Sequence, residues 1–331
     1  TFTPPTSPAP ATNEYHCLIF NAPSSANCST YTNIHTIVIN PAPQVVTPSQ
    51  DVSICEGGTI TPLYVQTPGL DPNISVTYEW FDITDPVNPI SVGFNATYPV
   101  NDGSPLSPVL SPGVYKYHCV LTFSSAGCSS QTSLPITITI VDDPTVVSIS
   151  NSPQDICEGG VIDPDFDLTV LGGLGNITYE WYDNANPSSV LSTNPTFNPG
   201  VLSNAGIYEY YVVIDDIGNG CDADTSSLFT VNVSLDPTSD PILSTQTVCE
   251  QTPSSATTLE VLNASGGINS TYSYEWYDIT NGLPGNNVGS GSTFTPPTSP
   301  APATNEYHCL IFNAPSSANC STYTNIHTIV I

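Results

Sequence analysis

Apolar and polar residues alternate in short runs along this chain, and no segment repeats its apolar positions at a helical spacing. Gly113-Val114-Tyr115-Lys116-Tyr117-His118-Cys119 puts Tyr115, Tyr117 and Cys119 on one face; Tyr208, Tyr210 and Val212 follow suit in the run from Gly206. Ile136, Ile138 and Ile140 alternate with threonines, Phe229, Val231 and Val233 with Thr and Asn, and Ile37 and Ile39 end a similar run. A period of two marks a half-buried strand. These last three runs stop at prolines: Asn40-Pro41-Ala42-Pro43, Asp142-Asp143-Pro144, and Asp236-Pro237 with Asp240-Pro241. The pattern predicts an all-β chain of short strands and many turns.

Two repeats organise it. The shorter is the motif YEW(F/Y)D, at Tyr78–Asp82, Tyr179–Asp183 and Tyr274–Asp278. Cys55, Cys157 and Cys249 precede its tryptophans by 25, 24 and 27 residues, and Cys128, Cys221 and Cys320 follow by 48, 40 and 44. Cys-Trp-Cys at such spacings, among alternating strands, is the pattern of a β-sandwich of about 100 residues, with Trp80, Trp181 and Trp276 in the cores. The longer repeat is literal: residues 1–39 recur letter for letter at 293–331, a period of 292 (293 − 1). Fixed-period self-similarity points to an array, and the chain reads as a window of a longer one. The expected division is a C-terminal half-domain at 1–39, then sandwiches at 40–141, 142–234 and 235–331. Short, proline-stiffened linkers would hold them end to end as a rod. With ~3.3 Å per residue and strands of about ten, three domains span roughly 100 Å or more.

Composition narrows the function. Against 29 acids stands one base, Lys116, for a net charge of −28. Binding to nucleic acid rests on Lys and Arg contacts to phosphate, and anionic membranes attract the same residues, so the charge rules against the first and argues against the second. No apolar run is long enough to cross a bilayer. Ten cysteines in a recurring pattern indicate an oxidising, extracellular setting.

The middle domain holds only Cys157 and Cys221, so a cross-link there must join those two; by equivalence Cys55 should join Cys128, and Cys249 should join Cys320. Cys119 and Cys309 stand where the middle domain has Val212, and are expected as buried free thiols. Cys28 copies Cys320 and should lack its partner. Asp163, Asp165 and Asp167 form a D-x-D-x-D run that would suit Ca²⁺, which takes six to eight oxygens. Asp215, Asp216, Asp222 and Asp224 flank a loop near Cys221, and Asp142 and Asp143 sit in a linker where a cation would bridge domains. The paired acids of YEW(F/Y)D invite comparison with glycosidase carboxylates, but recurrence in three spacer-like segments favours a solvated strand face. Three distinct histidines, two of them duplicated, supply neither a triad nor a zinc site. No catalytic residue is assigned. Sequons at Asn73, Asn95, Asn176, Asn232, Asn263 and Asn269 matter only where the source glycosylates them.

The Gly-x-Tyr starts at Tyr115 and Tyr208 resemble the tyrosine corner of immunoglobulin-like sandwiches; the third domain has Asn305 instead. With Cys-Glu-Gly-Gly at 55–58 and 157–160, the Y-x-W strand and the late cysteine, the chain resembles immunoglobulin-like domains repeated in giant surface proteins of Bacteroidota. That resemblance implies export by the type IX secretion system and service as a gliding adhesin or long filament, such as the grappling hooks of predatory gliding bacteria. The third domain departs from it with Cys249-Glu250-Gln251-Thr252. The expected function is structural: a shaft segment, bundled with identical chains, reaching a cell-surface or prey target at a distal tip. The alternatives are sandwiches that bind glycans, with Tyr182 and Tyr277 as stacking platforms, and spacer domains of a secreted hydrolase.

Overall fold

A computed structural model describes residues 1–5, 11–20, 29–39, 42, 44, 49–68, 70, 72–100, 109–124, 128–251, 254–299, 303–313 and 320–331. Cys28 lies outside them. Every regular element among the described residues is a strand. The chain forms two compact units: Thr1–Asp142 with Gly218–Cys221, and Asp143–Ile217 with Asp222–Ile331.

Residues 1–39 carry β1 (Ala11–Tyr15), β2 (Leu18–Phe20), β3 (Ser29–Tyr31) and β4 (His35–Ile39), paired β1 with β4 and β2 with β3. Next come β5 (Val52–Cys55), β6 (Leu63–Tyr64), β7 (Val76–Asp82), β8 (Ile90–Gly93), β9 (Thr97–Tyr98), β10 (Gly113–Phe123), β11 (Gln131–Thr132) and β12 (Ile136–Val141). One sheet runs β5-β12-β10-β7-β8 with β11 beside β10, and β6-β9 forms another. The first pairing is parallel, and those of β10 with β12 and β7 are antiparallel.

The same path returns twice. β13 (Thr145–Ser150), β14 (Gln154–Cys157), β15 (Asp167–Leu171), β16 (Ile177–Asp183), β17 (Gly206–Asp216), β18 (Asp224–Thr225) and β19 (Phe229–Ser234) give the order β14-β19-β17-β16, with β13-β15 a separate pair. β20 (Thr245–Thr247), β21 (Leu259–Glu260), β22 (Ser273–Asp278), β23 (Asn286–Ser290), β24 (Thr293–Phe294), β25 (Thr304–Phe312), β26 (Ser321–Tyr323) and β27 (His327–Val330) give β20-β27-β25-β22-β23, with β21-β24 apart.

Alternation decides what each strand buries. Ile136, Ile138 and Ile140 face inward along β12, and Phe229, Val231 and Val233 do so along β19. Trp80, Trp181 and Trp276 are wholly buried, directly across the ladder from Cys119, Val212 and Cys309. Each indole N–H donates to a loop carbonyl: Asn95 at 3.0 Å, Asn194 at 2.8 Å and Gly291 at 2.9 Å. A buried donor is thereby satisfied while the ring fills the core. Tyr115 and Tyr208 donate to the carbonyls of Ser111 (2.9 Å) and Asn204 (3.0 Å), each four residues upstream, as a tyrosine corner does.

The duplicated stretch folds alike and packs differently. Thr12 faces Val38 and Leu18 faces Tyr31, the same register as Thr304 with Val330 and Leu310 with Tyr323. Ile311, Cys309 and His327 are 0% exposed, whereas Ile19 is 55% exposed and Cys17 and His35 are also open to solvent. A cavity of about 660 Å³ lies against Phe2, Tyr15, Cys17 and Ile37. The corresponding Phe294 stacks on Trp276 and tilts against Tyr307, and Cys309 faces Trp276 across the ladder.

Candidate functional site

The repeated Cys-Glu-Gly-Gly is a turn that ends a strand. The Gly58 N–H donates to the Cys55 carbonyl (3.1 Å) and the Gly160 N–H to the Cys157 carbonyl (3.0 Å). Gly57 and Gly159 sit at φ +88° and +77°, where a side chain is strained.

In the first unit this turn receives the segment Gly218–Cys221. Cys55 is bonded to Cys221, with Cα atoms 4.8 Å apart. The Cys55 N–H donates to the Asn219 carbonyl at 2.9 Å, and Asn219 Nδ2 donates to the Thr59 carbonyl at 2.6 Å. A Cβ on Gly58 would lie 2.7 Å from the Asn219 carbonyl oxygen, and one on Gly220 only 2.1 Å from Gly58 Cα. The second glycine of the motif is therefore required by close approach of another backbone. In the second unit Cys157 is bonded to Cys320, with Cα atoms 4.9 Å apart, and both join the apolar cluster of Trp181. The two bonds span 166 and 163 residues. Each joins the cysteine ending the strand that pairs in parallel with its module's last strand to the late cysteine one repeat further on.

This corrects the pairings expected within domains, Cys55–Cys128, Cys157–Cys221 and Cys249–Cys320. Ile54 lies beside Ile140, which faces Gly113 at the start of β10, whereas Cys128 follows the far end of that strand at Phe123. The length of β10 puts the two cysteines on the order of 30 Å apart, and a disulfide requires Cα atoms within about 7 Å. β17 separates Cys157 from Cys221 in the same way. Cys128 and Cys249 are free. Cys119 and Cys309 are also free and are buried, and burial pushes their thiols up to about 11 and about 12.

The acids proposed as Ca²⁺ ligands are not brought together; among the described residues no three His, Cys, Asp or Glu side chains gather to hold an ion. Asp163, Asp165 and Asp167 are exposed; Asp165 accepts from Asn198 Nδ2 (2.8 Å) and Asp167 from the Leu168 N–H (2.8 Å). Asp215 points to solvent while Asp216, next along the strand, is 2% exposed. The Asp216 carboxylate accepts the amides of Leu174 (2.6 Å), Gly175 (3.0 Å) and Asn176 (3.3 Å), so it anchors the loop before β16. Asn313 holds the matching loop before β22, donating to the Asn269 carbonyl at 2.6 Å. The signal for both anchors was a Gly-Gly pair: a Cβ on Gly173 or Gly267 would collide with Asp216 or Asn313. Asp143 accepts the Asp222 N–H at 3.1 Å, and Asp224 the Val146 N–H at 2.8 Å. Asp142 is exposed.

The acids of YEW(F/Y)D have structural duties. Asp82, Asp183 and Asp278 accept the backbone N–H two residues on, at 2.8, 2.8 and 3.0 Å, turning the chain where the strand stops. Glu180 and Glu275 accept the hydroxyls of Tyr182 and Tyr277, both at 2.6 Å. Tyr182 stacks on Tyr211 at 5.3 Å, so one face of that ring is taken.

Residues 144–237 match the family model described as Ig-like domain, CHU_C associated. No curated protein matches. Among solved structures, the chain is similar to the three N-terminal domains of the bacteriophage RB49 Highly Immunogenic Outer Capsid protein, at 16% identity and TM-score 0.48, covering 87% of this chain and 98% of that one. It is also similar to Sidekick-1 immunoglobulin domains 1–5, at 14% identity and TM-score 0.41, covering 98% and 67%. A multi-domain segment of titin aligns at 12% identity and TM-score 0.36, covering 87% and 97%. The described residues are thus all-β, with one strand path repeated in three sheets; the immunoglobulin-like match covers residues 144–237, and two disulfides join cysteines among the described residues.

Proposed function

We propose that this chain is a structural segment of a long extracellular adhesive filament or giant surface adhesin, and performs no catalysis. The observation that carries the reading is the duplicated 39-residue stretch, whose first copy exposes the face that the second buries. Identical halves related by a 292-residue period are the parts of an array in which residues with the sequence of 235–292 precede each copy. A module repeated along one chain makes length, and length serves reach.

Load is resisted by long antiparallel ladders such as β10 with β7 and β17 with β16, and by the two disulfides. Disulfides of this kind belong to oxidising surroundings, which supports a surface location; type IX secretion is the export route proposed with it. Identical units present the same lateral surface at every repeat, so the partners proposed are further copies of the chain, with a cell-surface or prey target at the tip. A charge of −28 repels at long range, leaving short-range polar, aromatic or cation-bridged contacts to hold chains together. Electron microscopy of the native assembly tests this directly. Bundled filaments are expected; light scattering that finds only extended monomers of a multi-repeat chain at native salt would sink the bundling.

A further inference from the structure

We infer that Cys249 and Cys128 are the two halves of a third disulfide, formed between consecutive 292-residue units, so that every module of the array is covalently tied to the next. The inference rests on the array reading above. Four of the six cysteines in these positions are already bonded by one rule: the cysteine ending the strand that pairs in parallel with its module's last strand takes the late cysteine of the following module. Applied to Cys249, the rule leads to the counterpart of Cys128 in the next unit. Their separation would be 171 residues (128 + 292 less 249), close to the observed 166 and 163.

Both thiols are placed as the bonded ones are. β20 runs parallel to β27 as β5 does to β12 and β14 to β19, and Cys249 lies two residues past Thr247, at the pole where Cys55 and Cys157 end their strands. It is exposed there. Cys128 lies between β10 and β11, as Cys221 lies between β17 and β18 and Cys320 between β25 and β26. Among the described residues the other free cysteines are Cys17, Cys119 and Cys309, of which Cys119 and Cys309 are enclosed and face tryptophans. Cys17 duplicates Cys309.

Bond formation needs a two-electron oxidant, here a small-molecule disulfide such as oxidised glutathione. The Cys249 thiolate attacks one of its sulfurs and expels a glutathione thiolate. The Cys128 thiolate then attacks the Cys249 sulfur of the mixed disulfide and expels the second. One S–S bond is broken and one formed overall, two electrons pass to glutathione, and the two protons leaving the protein thiols balance the two glutathione thiols produced.

The test is a two-unit chain, the 331 residues with residues 40–331 appended once more, refolded in a glutathione redox buffer and mapped by mass spectrometry without reduction. A peptide joining Cys249 of the first unit to Cys128 of the second is expected. In a Cys249→Ser version of the first unit, that Cys128 alone should become open to alkylation, while Cys55–Cys221 and Cys157–Cys320 persist as the check on folding. Junction cysteines both alkylated in a folded chain, or Cys249 joined to Cys320 of its own unit, would overturn the ladder. Either result leaves the array reading standing, since microscopy of native filaments tests that separately.

Discussion

Trp181 shows how one side chain organises a module. Its ring stacks on Phe197 at 5.1 Å and tilts against Phe229 at 4.9 Å, and its indole N–H is used by Asn194. Trp181→Ala leaves a cavity and an unpaired carbonyl, and should cost about 3–5 kcal/mol, measured by denaturant unfolding of the full chain. Asp216 acts by polarity rather than bulk. Asp216→Ala strips three backbone amides of their acceptor, a loss of about 2–3 kcal/mol, and should speed amide exchange at Leu174, Gly175 and Asn176. Cysteine chemistry separates by burial. In the folded chain at pH 8, iodoacetamide should label the exposed Cys17 and Cys249 and spare Cys119 and Cys309, whose enclosed thiols stay protonated well above the ordinary range. Equal labelling of all four would contradict that placement.

Among the elements, the two copies of the 39-residue stretch form a natural control. Backbone pairing is local to each copy and is the same in both. Burial is not local: Trp276 and Leu259, which lie in the core with Cys309 and Ile311, belong to residues preceding the second copy. Placing residues 235–292 ahead of Thr1 should therefore fill the cavity beside Phe2 and Tyr15. Cys17, labelled in the chain without them, should become resistant to alkylation in the extended one. Continued reaction of Cys17 would show that the first copy does not complete a module.

For the whole molecule, reduction and alkali probe different forces. Trp80 and Trp276 are packed by clusters that contain no bonded cysteine, whereas Cys157 and Cys320 pack with Trp181, so in a Trp181→Phe chain reducing both disulfides should leave the fluorescence unshifted. The denaturation midpoint should fall, because closing a loop of such length contributes about 5 kcal/mol on the chain-entropy account. Alkali acts on the cores. Burial, first among the causes, pushes Tyr210 and Tyr307 up to about 12 from an ordinary 10.0. The folded state keeps these hydroxyls protonated where the unfolded chain releases them, so their contribution is whole below pH 10 and is lost as pH rises toward 12. Cys119 and Cys309 work in the same direction from an ordinary 9.0. Stability is expected to decline across that window, followed by circular dichroism with tyrosinate absorbance; a flat profile would refute the tyrosine placement.

What the sequence determined alone was what depends on neighbours a few positions away. Strand periodicity, the inward tryptophans, the tyrosine corners and the buried pair Cys119 and Cys309 all follow from alternation, which chooses a face without reference to distant residues. The literal repeat likewise marked residues 1–39 as the counterpart of 293–331. Only the tertiary structure decided which cysteines meet. Spacing measures distance along the chain, and the long strand β17 carries Cys221 to the pole opposite Cys157, where it is bonded to Cys55 instead. It also reassigned the acids, because a carboxylate near other carboxylates in sequence binds whichever donors the fold brings to it. For Asp216 those were three backbone amides, held close by a glycine where any side chain would collide.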